Sequence, residues 1–63
     1  MEEYQQRVVN EKSELDRKLY LLIVFLDGET FKTLPSEEQE RMQRQLVVMK
    51  EYSKILNERI AAF

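Results

Sequence analysis

The sequence predicts an all-α fold: an antiparallel two-helix hairpin that assembles into a homo-oligomeric helical bundle. Three observations predict it. The only Gly and the only Pro, Gly28 and Pro35, stand close together near the middle of the 63 residues and leave two long segments free of helix breakers. Both segments carry apolar residues at steps of three, four and seven, the repeat of one helix face. Residues 19–26 read Leu-Tyr-Leu-Leu-Ile-Val-Phe-Leu, and a helix that is apolar all round must be covered on more than one side. A chain this short has little of its own to cover it with. The expected layout is a single hairpin domain over 1–63, with helix 1 at about 2–26, a connection at about 27–35 and helix 2 at about 36–62.

In helix 1 the stripe is Tyr4, Val8, Leu15, Leu19, Leu22 and Leu26. Glu3 with Arg7 and Glu14 with Lys18 are pairs four residues apart in the favourable orientation, each contributing a few tenths of a kcal/mol. Asp27-Gly28 supplies the stop, with Gly28 expected in the left-handed conformation. In the connection, Phe31 and Leu34 are three apart. They can form a short turn that plugs the end of the hairpin, but an ordinary hydrophobic loop anchor is the preferred expectation. Helix 2 opens at Pro35-Ser36, where Ser36 with Gln39 fits a capping box, and Glu37, Glu38 and Glu40 suit the positive end of the helix dipole. Its stripe is Met42, Leu46, Met49, Leu56, Ile60 and Phe63, with Tyr52 on the flank. Glu37–Arg41 and Glu40–Arg44 are further pairs of the same kind.

Aligning the stripes puts Leu22 against Met42, Leu15 against Met49, Val8 against Leu56 and Tyr4 against Ile60. This register leaves Leu21, Val24 and Phe25 on one helix and Val47 and Val48 on the other uncovered. They are the candidate oligomer interface, most simply of a four-helix bundle.

Composition excludes several classes of function. Disulfides and thiolate metal sites need Cys, and imidazole ligands and His-based proton transfer need His; the chain has neither. Ser13, Ser36 and Ser53 therefore lack a His partner for nucleophilic activation, and no Gly-rich phosphate loop is present. The expectation is no enzyme, no cofactor and no metal. A small Cys-free domain needs another staple, and association supplies it. Charged residues make up 35% of the chain and nearly cancel, to a net −2, so binding to long nucleic acid, which phosphate neutralisation drives, is not expected. The apolar run falls far short of the roughly 20 residues that span a bilayer. The chain opens Met-Glu-Glu, unlike the basic start of a signal peptide, so a soluble intracellular protein is expected.

Chemistry concentrates at the open end of the hairpin. The stripe of helix 1 is interrupted between Val8 and Leu15, where apolar slots hold Glu11 and Lys12. On the aligned register these face Tyr52 and Ser53, with Arg7, Arg59 and Tyr4 close by. Two readings stand side by side. Open ends of hairpins are solvated, and charged residues there keep their heads in water while their stems cover apolar surface. Alternatively Tyr4, Arg7, Lys12, Tyr52 and Arg59 form a pocket for an anionic, planar ligand: Arg forks bind phosphate bidentately, Lys supplies a point charge, and Tyr rings stack on bases.

The segment Tyr4-Gln5-Gln6-Arg7-Val8-Val9-Asn10-Glu11-Lys12-Ser13-Glu14-Leu15, followed by Phe31, Leu34, Glu38-Gln39, Gln45-Leu46, Met49, Tyr52, Leu56 and Arg59-Ile60, resembles a family of very small two-helix accessory proteins of tailed bacteriophages, crAss-like phages among them. The resemblance covers nearly the whole chain and brings no assigned enzymatic activity. In size and helical architecture alone the chain is also similar to small phage proteins that oligomerise and sequester nucleotide second messengers of the CBASS or Thoeris type. The resemblance implies a phage-encoded counter-defence protein in the cytoplasm of an infected bacterium, binding a nucleotide-derived immune signal without turning it over. Its partners would be further copies of itself and a cyclic nucleotide or ADP-ribose-type signal; the pocket reading of the open end, not the resemblance, then puts Arg7, Lys12 and Arg59 on phosphates and Tyr4 or Tyr52 on a base. The alternative is an oligomeric protein-interaction module that inhibits or adapts a host or phage protein through its apolar helix faces.

Overall fold

A computed structural model describes residues 1–63. The chain is all-helical: α1 spans Glu3–Leu26, α2 Glu29–Lys32 and α3 Ser36–Ala61. α1 and α3 run antiparallel along a rod of 45 × 15 × 13 Å. No helix is long and apolar enough to cross a membrane.

The seam between the long helices is thin. Val8, Leu22 and Leu56 are buried in it, Phe31 is buried beside them, and Leu56 has no exposed surface at all. Leu15, Leu19, Leu26, Met42, Leu46, Met49 and Ile60 are half-buried. The helix ends are set locally. Ahead of α1, the Glu2 backbone N–H donates to Gln5 Oε1 at 2.9 Å, satisfying a donor the helix itself cannot.

Three local expectations are corrected. Gly28 is extended at φ −96°, with no left-handed residue anywhere in the chain. It caps α2 rather than closing a left-handed turn after α1. The expected capping box at Ser36 is absent, because Pro35 occupies the capping position and Ser36 is already helical. Gln39 instead turns back and donates from Nε2 to the Leu34 carbonyl at 2.9 Å. Phe31 is not a loose loop anchor: it is buried in the one-turn helix α2 and closes the loop end of the hairpin. Thr33 Oγ1 fastens that turn by donating to the Thr30 carbonyl at 2.7 Å.

The register is also corrected. The Tyr4 ring meets the Phe63 ring, just beyond the end of α3, edge to face at 6.1 Å. Asp16 meets Ser53, and Leu46 shares a groove with Ile23 and Leu26. Ser53 thus pairs with Asp16, one turn along α1 from the Lys12 that the stripe alignment set near it. Apolar residues spaced three and four apart look alike after a one-turn shift, so stripe matching cannot separate the two pairings.

Of the expected surface pairs, Arg7–Glu3 at 3.4 Å and Arg44–Glu40 at 3.8 Å form. Glu14 reaches Arg17 instead of Lys18, and Arg41 takes Glu38 instead of Glu37. All are exposed and contribute little.

Candidate functional site

The polar interruption of the α1 stripe is a closed cluster. Asp16 accepts from Lys12 Nζ at 2.6 Å and from Ser53 Oγ, across the seam, at 2.5 Å. Lys12 is therefore not a free cation at the open end; Asp16 takes up its charge. The Lys12 ammonium first, and then the Ser53 hydroxyl, hold the Asp16 carboxyl below the usual carboxylate range. A carboxylate whose folded pKa lies below its unfolded value of about 3.9 contributes stability above that value and loses it as pH falls through the folded pKa. The acid side of the melting-temperature profile, below about pH 4, should therefore fall more steeply for the wild type than for Asp16→Asn. Parallel acid limbs in the two proteins would contradict this.

Helical geometry then sorts the expected site residues. Asp16 and Ser53 mark one flank of the seam, and the groove of Ile23, Val24, Leu26, Asp27, Leu46 and Lys50 lies along it. Counting from these at 3.6 residues per turn places Lys12 on this flank and Tyr4, Arg7, Tyr52 and Arg59 on the opposite one. Four of the five expected ligand residues thus share a face, and Lys12 does not belong with them.

On that shared flank the side chains are available. Tyr4 and Tyr52 are exposed. Arg7 is paired only with the exposed Glu3. Arg59, in the last turn of α3, has no carboxylate within ion-pairing distance. Tyr52 and Arg59 are seven residues apart on one helix, so their stems stand two turns, about 10 Å, apart along the axis.

Lys18 lies on the same flank, outside the residues singled out from the sequence. It was expected to be spent on Glu14, but Glu14 turns to Arg17 and leaves Lys18 without an ion-pair partner. In the observed register Lys18 stands beside the level of Tyr52 on the same flank. The flank therefore carries Arg7 and Arg59 toward the open end and Lys18 beside the Tyr52 ring further along, groups that bind phosphate and stack on a base. Glu11 lies on it as well. The signal for Lys18 was in the sequence, in the choice between partners three and four residues from Glu14, but the two are too close in energy to separate.

The candidate interface residues Leu21, Val24, Val47 and Val48 are all exposed, Val47 at 67% and Val48 at 65%. Phe25 is half-buried rather than fully uncovered. Tyr20, Ile23 and Ile55, not among the expected interface residues, are exposed too.

Fold and surface together define a very small helical-hairpin protein with a thin core, one cationic and aromatic flank and extensive uncovered apolar faces. A relative of the same size is encoded by Enterobacteria phage T4. Described as an uncharacterized 7.5 kDa protein in the denB-rIIB intergenic region, it is 40% identical over 60 residues, covering 95% of this chain and 94% of that protein. The family model Sequestin matches residues 2–62, and the chain belongs to the Sequestin family of small phage accessory proteins. No solved structure matches it.

Proposed function

We propose that this protein is a phage counter-defence protein that binds a nucleotide-derived immune signal and holds it without chemical change. The observation that carries this is the flank bearing Tyr4, Arg7, Tyr52 and Arg59, with Lys18 in the place first given to Lys12. The family name Sequestin supports sequestration as the mode of action. A cyclic nucleotide or ADP-ribose-type signal matches the chemistry of the flank, because each combines phosphate with a stackable base. The test is recovery: protein is incubated with such a signal, separated from free ligand and denatured by heat. Release of the signal at its original mass is the expected result. Release of a cleaved product means turnover and contradicts the proposal.

The exposed apolar faces favour association with a second copy in the same reading. A folded chain of 7.7 kDa should expose about 4300 Å², whereas this one exposes 4928 Å². The excess approaches the roughly 800 Å² that each partner contributes to a standard interface. Asp27 and Lys50 rim the apolar groove without pairing to each other or to any other residue, an arrangement that can be satisfied reciprocally across a two-fold axis. Val47→Asp is expected to shift sedimentation to the monomer. An unchanged sedimentation coefficient, whether oligomeric or monomeric in both proteins, would remove Val47 from the interface. A variant that stays fully oligomeric and loses only its effect on a host protein would favour the interaction-module alternative.

A further inference from the structure

The side of the hairpin opposite the ligand flank holds an open groove of about 440 Å³, lined by Ile23, Val24, Leu26 and Leu46 and rimmed by Asp27 and Lys50. Ile23, Val24 and Val47 are exposed there, as is Tyr20, one turn from Ile23 on the same side. Neither Asp27 nor Lys50 has an ion-pair partner within the chain. A carboxylate on the rim repels phosphate, so the groove is not a second nucleotide site. Its two unpaired charges are opposite in sign on one surface, which makes that surface complementary to itself. We propose that a second copy of the chain fills the groove, lying antiparallel to the first, with Asp27 of each copy paired to Lys50 of the other. The pairing rests on self-association through the apolar faces and gives it a direction.

The direction follows from levels along the rod. Ser53 stands level with Asp16. Lys50, three residues earlier on the antiparallel α3, therefore stands level with Leu19 of α1. Asp27 is eight residues beyond Leu19, about 12 Å along the helix. Two copies lying parallel about a two-fold axis set like residue against like, and each Asp27 stays about 12 Å from the other copy's Lys50. Two antiparallel copies exchange the levels, and both pairs close at once. The axis then crosses midway, at the level of Ile23. Leu46, seven residues before Ser53, stands at that same level. The apolar floor of the groove is thus centred on the axis, and Val47 comes opposite Val24 of the other copy. Charges placed this way mainly exclude wrong arrangements, because opposing like charges costs more than pairing opposite ones gains. The ligand flank, on the other side of each hairpin, faces outward in such a dimer and is complete within one chain. That consequence rests on the ligand-binding reading, whereas the pairing itself is tested without ligand.

Charge reversal reads the pairing directly. Asp27→Lys and Lys50→Asp each oppose like charges twice across the axis, and each is expected to weaken the dimer by more than about 100-fold in sedimentation equilibrium while remaining helical by circular dichroism. The double variant, with the two charges exchanged, is expected to regain the wild-type dimer. An equimolar mixture of the two single variants is expected to dimerise as well, since every rim position then meets its opposite. Asp27 and Lys50 do not pair within a chain, so only pairing between copies rescues the mixture. Single variants that dimerise as the wild type does, or a mixture that stays monomeric, would overturn the antiparallel pairing and leave self-association in place. A monomeric wild type would overturn both and leave the groove to a different protein. The monomeric single variants should bind ADP-ribose or a cyclic dinucleotide as tightly as the wild type does. Binding lost together with the dimer would contradict the outward flank and place the ligand between the copies. Failure of the wild type to bind either probe would remove that consequence alone.

Discussion

Leu56→Ala should unfold most of the protein at room temperature. Leu56 is the one side chain with no exposed surface, and truncating a buried Leu costs about 2–5 kcal/mol in lost transfer energy and residual cavity. A domain of this size rarely draws more than about 3–5 kcal/mol from its core, so the loss is comparable to the whole reserve. In a protein of this length each kcal/mol also moves the melting temperature by about 4–8 °C, so a drop of tens of degrees is expected by circular dichroism. Val47→Ala, at a position 67% exposed, is the control and should stay within about 0.5 kcal/mol. A Leu56→Ala protein that melts within a few degrees of the wild type would mean that contacts outside the α1–α3 seam hold the fold.

Arg59→Glu should lower affinity for the signal by more than about 100-fold. A charge-assisted hydrogen bond contributes about 1.5–3 kcal/mol, and charge reversal adds repulsion of the phosphate to its loss. Arg59 is free of carboxylates, so no intramolecular pair is broken at the same time. The cost to the fold is confined to the unfavourable placement of an anion in the last turn of α3, about 0.3–1 kcal/mol. Calorimetric titration measures the affinity and a thermal melt confirms the fold. The companion variants separate the two flanks: Lys18→Glu should weaken binding, whereas Lys12→Gln should act through the Asp16 cluster on stability. Affinity for Arg59→Glu within two-fold of the wild type would take Arg59 out of the site. The reverse order of effects for Lys12 and Lys18 would place the ligand on the other flank.

What the sequence made legible follows from how local each feature is. The ends of the long helices were readable because Gly28 and Pro35 punctuate the chain and the stripes stop on either side of them. Family membership was readable because the residues that carry the resemblance run from Tyr4 to Ile60, nearly the length of the match. The exact pairing of Ser53 with Asp16 was not readable, since apolar positions three and four apart match again after a shift along the seam. The role of Lys12 was obscured for a related reason. A Lys placed before its acid at four residues is the weaker orientation of that pair, and only the arrival of Ser53 from the other helix makes Asp16 worth neutralising. Phe31 and Leu34 announced a turn by their spacing, but whether such a turn plugs or merely anchors depends on the space left between α1 and α3, which no local pattern encodes. That Tyr4, Arg7, Tyr52 and Arg59 share one flank was legible from helical phase; that this flank binds a ligand is the proposal. Lys18 was concealed behind a partner it does not use.

The central claim is that this protein captures a nucleotide-derived signal intact on its cationic, aromatic flank. The most direct measurement is native mass spectrometry of the purified protein with cyclic oligonucleotides and ADP-ribose-type signals. The account predicts a defined oligomer that gains the full mass of one such signal at fixed stoichiometry, with no gain for Arg59→Glu. A defined assembly that stays empty across all of them would contradict it and turn attention to the apolar faces as a docking surface for a protein.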